Sequence, residues 1–220
     1  MEGLNILGAK KPVKSNPPIK NNEWKTVKNF KDTSSRDKFQ HKTPEIFDNY
    51  IDTDAFAELK HQVVYSDAEM EFCSYVTGIR DDDEEILKRE YDSKWSWCLR
   101  HRIFDLSQSD SPLFPILHNA LFVKMSSPPE YNLKALHKCY DNANPNTENI
   151  KENLMYHDYH WNVKTGVLFL NTCDGYIKFK DGTKVNSVEN RMVMFDGSNP
   201  YCLSSTTNEK LMYTININFL

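Results

Sequence analysis

Two histidines stand either side of an aspartate in YHDYHWNVKTGVLFLNT, residues 156–172. Imidazole and carboxylate together are a common donor set for iron and other first-row metals. His157, Asp158 and His160 are therefore the candidates for a metal site. Strand geometry works against them, because adjacent residues of an extended chain face opposite ways and His157 and Asp158 could share an ion only across a bulge. No histidine occurs in residues 161 to 220, and the only arginine after Asp158 is Arg191. Two readings stay open from the residues alone: His157 and His160 as packed or rim side chains, or a rearranged metal site of His157, Asp158 and His160.

The elements that must position these groups are legible from periodicity. Runs such as GVLFLNT, GYIKFKDGTKV, NRMVMFDGSN and KLMYTININFL are short, β-rich and separated by Asp-Gly and Asn-containing turns, the spacing of a sandwich or barrel. Leu168, Leu170, Ile177, Phe179, Val193, Phe195, Ile215 and Ile217 are the expected inward residues, alternating with exposed neighbours. Before them, Asp52 or Thr53 can cap a helix whose Phe56, Leu59 and Val63 form one apolar face. KWSWCLRHRIFD alternates Trp95, Trp97 and Leu99 with polar partners and reads as a half-buried strand, and PLFPILHNALFVKM reads as a second helix. His101 and His118 in those elements read as packed or surface residues rather than ligands. The acidic run RDDDEEILKRE reads as a solvated loop and helix start. Helices followed by strands give an α+β fold with helices on one side of a jelly roll.

Charge divides the 220 residues in two. Residues 1–43 carry a balance of +6, which leaves −10 for the rest because the chain total is −4. This basic segment is rich in Lys, Asn, Ser and Pro and poor in apolar residues, so it cannot offset its own ordering entropy and is expected to be disordered or bound to a partner. Trp24, Phe30 and Phe39 are too sparse for a base-stacking platform, which disfavours nucleic acid as that partner. No apolar run reaches membrane-spanning length, and the first residues lack the apolar core of a signal peptide. The five cysteines are scattered and never paired as C-x-x-C, so they indicate reduced thiols rather than a disulfide framework. The expected organisation is an arm at 1–43 and a domain at 44–220.

The run TENIKENLMYHDYHWNVKTGVLFLNTCDGYIKFKDGTKVNSVENRMVMFDGSN, with TTNEKLMYTININFL after it, resembles the C-terminal core of the Fe(II)/2-oxoglutarate-dependent oxygenases. The likeness is to the small members encoded by tailed bacteriophages, especially marine T4-like ones, and extends over most of residues 44–220 through IFDNYIDTDAF, LRHRIFD and SPLFPIL. It implies a double-stranded β-helix, or jelly roll, with flanking helices and an extended N-terminal arm. In that family an H-x-D pair and a later histidine hold iron, and an arginine in a late strand pairs the cosubstrate carboxylate. The resemblance brings Tyr156 to the first histidine, Asp158 to the carboxylate, Tyr201 to the later histidine and Met212 to the arginine. Phenols titrate near ~10 when unperturbed and make poor iron ligands at neutral pH, and methionine offers a carboxylate no charge. These four positions therefore read as a vestigial site with no catalytic residue, no metal and no cofactor.

The resemblance and the arm together imply a non-catalytic phage protein, a structural or assembly component of the virion whose partners are other virion proteins bound through residues 1–43. Its expected location is the virion or the host cytoplasm, away from membranes. The alternative is an active hydroxylase, an oxidoreductase using Fe(II) and 2-oxoglutarate through atypical ligands.

Overall fold

A computed structural model of the chain describes residues 43–65, 69–73, 96–109, 111–127, 133–159 and 163–220. All lie in the compact unit His41–Leu220. Residues 1–42 of the basic arm, the run RDDDEEILKRE, Trp95 and His160 fall outside the described residues.

The first elements are β1 (Glu45–Phe47), helix α1 (Thr53–Val64), β2 (Glu71–Cys73) and β3 (Cys98–Asp105). A helical stretch follows, made of α2 (Phe114–Leu117), a π-helical turn over His118–Phe122 and α3 (Val123–Met125). The remaining strands are β4 (Leu136–Pro145), β5 (Lys164–Phe169), β6 (Tyr176–Phe179), β7 (Lys184–Asn186), β8 (Arg191–Asp196), β9 (Tyr201–Leu203) and β10 (Leu211–Phe219). The larger sheet runs β1-β8-β5-β10-β4-β3-β2 and the smaller one β7-β6-β9. Neighbouring strands within each are antiparallel. This is a double-stranded β-helix with helices laid on the outer face of the larger sheet.

Local chemistry explains the boundaries. Asp52 caps α1 by accepting from the Asp54 amide at 3.1 Å, and the side chains of Phe56, Leu59 and Val63 are buried as one stripe. The Asp181-Gly182 turn joins β6 to β7, and Gly182 sits at φ 90°, a conformation that a Cβ would disfavour. Asn190, at φ 58°, clamps the chain before α1: its side chain accepts from the Ile51 amide at 2.9 Å and donates to the Ile51 carbonyl at 2.7 Å.

The eight inward residues are all buried, but in β5 and β8 their neighbours are not exposed. Val167, Phe169, Met192 and Met194 are buried as well, so β5 and β8 lack the simple in-out alternation expected. The reason is layering. Leu168, Leu170, Met192, Met194, Ile215 and Ile217 pack with α1 and the second helical stretch, while Val167, Phe169, Val193 and Phe195 pack against Ile177, Phe179 and Leu203 of the smaller sheet. Central strands covered on both faces lose their polar phase. Each such side chain contributes about 1.5–3 kcal/mol by burial.

In β3 the phase also differs from the reading. Trp97 and Leu99 are half-buried, whereas Ser96 and Cys98 are the buried pair. The inner face of this strand is therefore the Ser96–Cys98–Arg100 face. A register shift against β4 between Arg102 and Phe104 alters the phase farther along. The sequence reading missed β4 itself, because LHKCYDNANP carries Asn, Asp and Pro where strand propensity favours β-branched residues.

Candidate functional site

The segment 156–159 is stitched to the start of β9 and to the turn before it. Tyr156 and Tyr201 exchange backbone hydrogen bonds of 2.9 and 2.8 Å, and the amides of Asp158 and Tyr159 both donate to the Gly197 carbonyl at 3.0 Å. Gly197 in turn donates to the Val163 carbonyl at 2.7 Å. A side chain at Gly197 would lie 2.8 Å from that carbonyl, so glycine is what permits the close approach. This stitching carries Tyr156 and Asp158 to the inner face of the larger sheet.

There Tyr156, Asp158 and Tyr201 meet. The Tyr156 hydroxyl donates to the Tyr201 hydroxyl at 2.9 Å. Tyr201 donates to Asp158 at 3.2 Å to Oδ1 and 3.3 Å to Oδ2. Thr165 Oγ1 donates to Asp158 Oδ2 at 2.7 Å and Asn218 Nδ2 to the same oxygen at 2.8 Å. Burial raises the Asp158 pKa, and the donors Thr165, Asn218 and Tyr201 oppose that rise. Burial, followed by the charge of Asp158, pushes both phenols above their ordinary range. The arrangement is a carboxyl group held by three hydrogen-bond donors, beside two phenols held in their protonated form.

Met212 does not join this group. It is fully buried in the apolar cluster with Phe169, Phe179 and Tyr201, its sulfur so close over Gly175 that a Cβ there would lie 2.6 Å from it. His157 is half-buried and does not line the pocket around Asp158. His160 is outside the described residues. Arg191 pairs with Asp48, Nε to Oδ1 at 2.5 Å and Nη2 to Oδ2 at 3.0 Å. The ring nitrogens of His101 lie 2.8 Å from the Glu69 carbonyl and 2.8 Å from Ser111 Oγ, a packed role.

Beside Asp158 opens a pocket of about 220 Å³. Its floor is the inner face of three neighbouring strands: Arg100 from β3, then Lys138, Tyr140 and Asn142 from β4, then Asn216 and Asn218 from β10. Register makes the floor a grid. Arg100 lies opposite Asn142, Tyr140 opposite Asn216 and Lys138 opposite Asn218. Arg100 Nε donates to Asn142 Oδ1 at 2.8 Å, and its guanidinium lies 5.2 Å from the centre of the Tyr140 ring. Tyr159 and the Tyr156–Tyr201 pair complete the wall. None of the six floor residues was singled out from sequence. Their signal is polar residues two apart in a β-rich run, Lys138-Tyr140-Asn142 and Asn216-Asn218, which place a polar stripe on one strand face.

Fold and site together define a double-stranded β-helix with a polar pocket on the inner face of its larger sheet. Comparison with solved structures agrees. The chain resembles a prolyl hydroxylase from Trichoplax adhaerens, solved with a hypoxia inducible factor oxygen degradation domain peptide, at a TM-score of 0.55 and 13% identity over 80% of this chain and 83% of that one. It also resembles a 2OG-Fe(II) oxygenase family oxidoreductase from Burkholderia pseudomallei, with TM-score 0.52 and 9% identity over 80% and 85%. A third likeness is to SnoN, a non-heme alpha ketoglutarate dependent epimerase from nogalamycin biosynthesis, with TM-score 0.52 and 10% identity over 80% and 77%. No family model and no curated protein matches the chain.

These structures correct the expectation of no cofactor. The fold is shared with enzymes described as Fe(II)- or α-ketoglutarate-dependent, so a fold-based reading cannot set those groups aside. The residues brought to the iron position nonetheless do not fit iron(II) as they stand. The two phenols keep their protons and one donates to the carboxylate that would be the third ligand. Among the described residues no group of three or more His, Cys, Asp or Glu could hold a metal ion. Among them, too, no helix is long and apolar enough to cross a membrane.

Proposed function

We propose that this protein is a non-catalytic, oxygenase-fold phage protein, a structural or assembly component of the particle. The jelly roll serves as a docking module and residues 1–43 lie along a neighbouring virion subunit, so that the protein resides in the virion or, before assembly, in the host cytoplasm. The observation that carries the reading is the closed Tyr156–Tyr201–Asp158 hydrogen-bond chain, which commits the carboxylate to Tyr201, Thr165 and Asn218. Such a commitment serves rigidity, because a half-buried carboxylate held by three donors fixes the surrounding backbone in one arrangement. The opposed charges of arm and body, +6 against −10, support docking of one subunit's arm on another's acidic surface.

Two measurements test this reading. Mass spectrometry of purified particles should detect the chain, and its absence from them would refute the virion role. Oxygen consumption with Fe(II) and 2-oxoglutarate should stay at the protein-free background. Turnover above it would favour the hydroxylase alternative.

A further inference from the structure

The polar floor of the pocket is not explained by the fold. Farther along the same sheet face, β5 and β8 present Val167, Phe169, Val193 and Phe195 to an apolar core, which is what stability asks of an inner face. Over β3, β4 and β10 that face instead carries Arg100, Lys138, Tyr140, Asn142, Asn216 and Asn218. Asn142 and Asn218 are buried and the other four half-buried; withdrawing such groups from water costs free energy unless they are satisfied, and six of them on adjoining strands make a constructed surface rather than an isolated exception.

Charge specifies what the surface would hold. The ionisable groups on the lining, apart from tyrosines, are Arg100, Lys138 and Asp158. Asp158 already receives hydrogen bonds from Thr165, Asn218 and Tyr201. Arg100 spends Nε on a neutral amide and enters none of the ion pairs among the described residues, nor does Lys138. With Asp158 ionised the lining still has one positive charge too many, and a guanidinium offers paired donors matched to a carboxylate. The rest of the lining is amides and phenols; the hydroxyls of Tyr140, Tyr156 and Tyr201 already donate to Asp105, Tyr201 and Asp158, which leaves the side-chain amides of Asn142 and Asn216 to meet the hydroxyls of a ligand. At about 220 Å³ the space lies below the ~300–1,000 Å³ of sites for larger ligands, which suits a monosaccharide.

We propose that this pocket binds a monoanionic, hydroxyl-rich molecule of monosaccharide size, a sugar acid, with its carboxylate on Arg100 and Lys138 and its hydroxyls on the side-chain amides of Asn142 and Asn216. The site differs from the carboxylate anchor that the family resemblance brings to Met212. That residue lies in the apolar cluster and does not line the pocket. The binding role also goes beyond the assembly role and does not depend on it.

Isothermal titration of the full chain with D-glucuronate, D-glucose, acetate and 2-oxoglutarate tests the proposal. Glucuronate should bind saturably at one site and more tightly than the other three. Arg100→Gln should weaken it about tenfold or more, the order expected on losing a charge-assisted hydrogen bond. Lys138→Gln, at a half-buried position of β4 outside both apolar clusters, should weaken it as well and guards against a folding defect in the first variant. A methyl glucuronide arm assigns the source: retained binding places the acid at the end of a glycan chain, and lost binding makes it a free sugar acid, both within the class. Failure of glucuronate to saturate in the millimolar range would overturn the proposal, as would glucose, acetate or 2-oxoglutarate binding as tightly. Particle mass spectrometry reads the assembly role separately, so the two can fail independently.

Discussion

Tyr156 and Tyr201 are joined twice, by hydroxyl to hydroxyl at 2.9 Å and by reciprocal backbone hydrogen bonds of 2.9 and 2.8 Å, with their ring centres 4.6 Å apart. The pair forms a strut between the segment entering the pocket and β9, and Tyr201 carries the connection on to Asp158. The two side chains therefore act as one mechanical unit.

Removing the Tyr201 hydroxyl leaves the Tyr156 hydroxyl without its acceptor and takes one donor from a half-buried carboxylate. Tyr201→Phe should cost about 1–3 kcal/mol, and Tyr156→Phe, which removes only a donor to Tyr201, should cost less. Denaturant midpoints of the two variants rank them, and an equal or reversed order would refute the chain of donation from Tyr156 through Tyr201 to Asp158.

Gly197→Ala should lower stability by about 1–3 kcal/mol, the usual range for overpacking. Its new Cβ would meet the Val163 carbonyl at 2.8 Å and Thr165 Oγ1 at 3.2 Å. The first is backbone and cannot swing away, and the second is the donor to Asp158. Thermal unfolding reads the loss. A melting temperature equal to that of the parent chain would show that the 163–197 approach is looser than described.

Asn190 combines a left-handed backbone with two side-chain hydrogen bonds to Ile51. Asn190→Gly keeps the conformation and loses the clamp, whereas Asn190→Ala loses the clamp and adds about 1 kcal/mol or more of backbone strain. Alanine should therefore be the more damaging replacement by that margin in equilibrium unfolding, although glycine is ordinarily the poorer residue.

Asp141 supplies a pH dependence. It is 2% exposed, its Oδ1 has no hydrogen-bond partner, and burial pushes its pKa up to about 8. The folded chain holds a proton that the unfolded chain releases near ~3.9. Stability from this group is full below that value and is lost as pH rises toward about 8, because the native state binds the extra proton. Asp141→Asn should flatten the fall in denaturant midpoint between pH 5 and 8 and leave the variant more stable than the parent at the upper end, by on the order of several kcal/mol. An unchanged slope would show that the carboxyl finds a partner in solution.

The sequence by itself determined the strands whose apolar runs are unmistakable, the cap and face of α1, and the absence of any late histidine. These are properties of residue type and spacing, and a strand or an amphipathic helix declares them locally. It also carried the resemblance that brought Tyr156, Asp158, Tyr201 and Met212 into one question. Only the tertiary structure showed that Met212 packs beside Tyr201 in the apolar cluster without lining the pocket, because whether a side chain in β10 reaches the pocket or the apolar cluster depends on the sheet that covers it. The double burial of β5 and β8 was hidden for the same reason, since exposure belongs to the layers and not to the strand. The polar floor was hidden more deeply. Arg100, Lys138, Tyr140, Asn142, Asn216 and Asn218 come from three strands far apart along the chain, and β4 lies in a run whose Asn, Asp and Pro argue against a strand. Antiparallel register, a long-range pairing of backbone groups, is what turns those scattered residues into one surface.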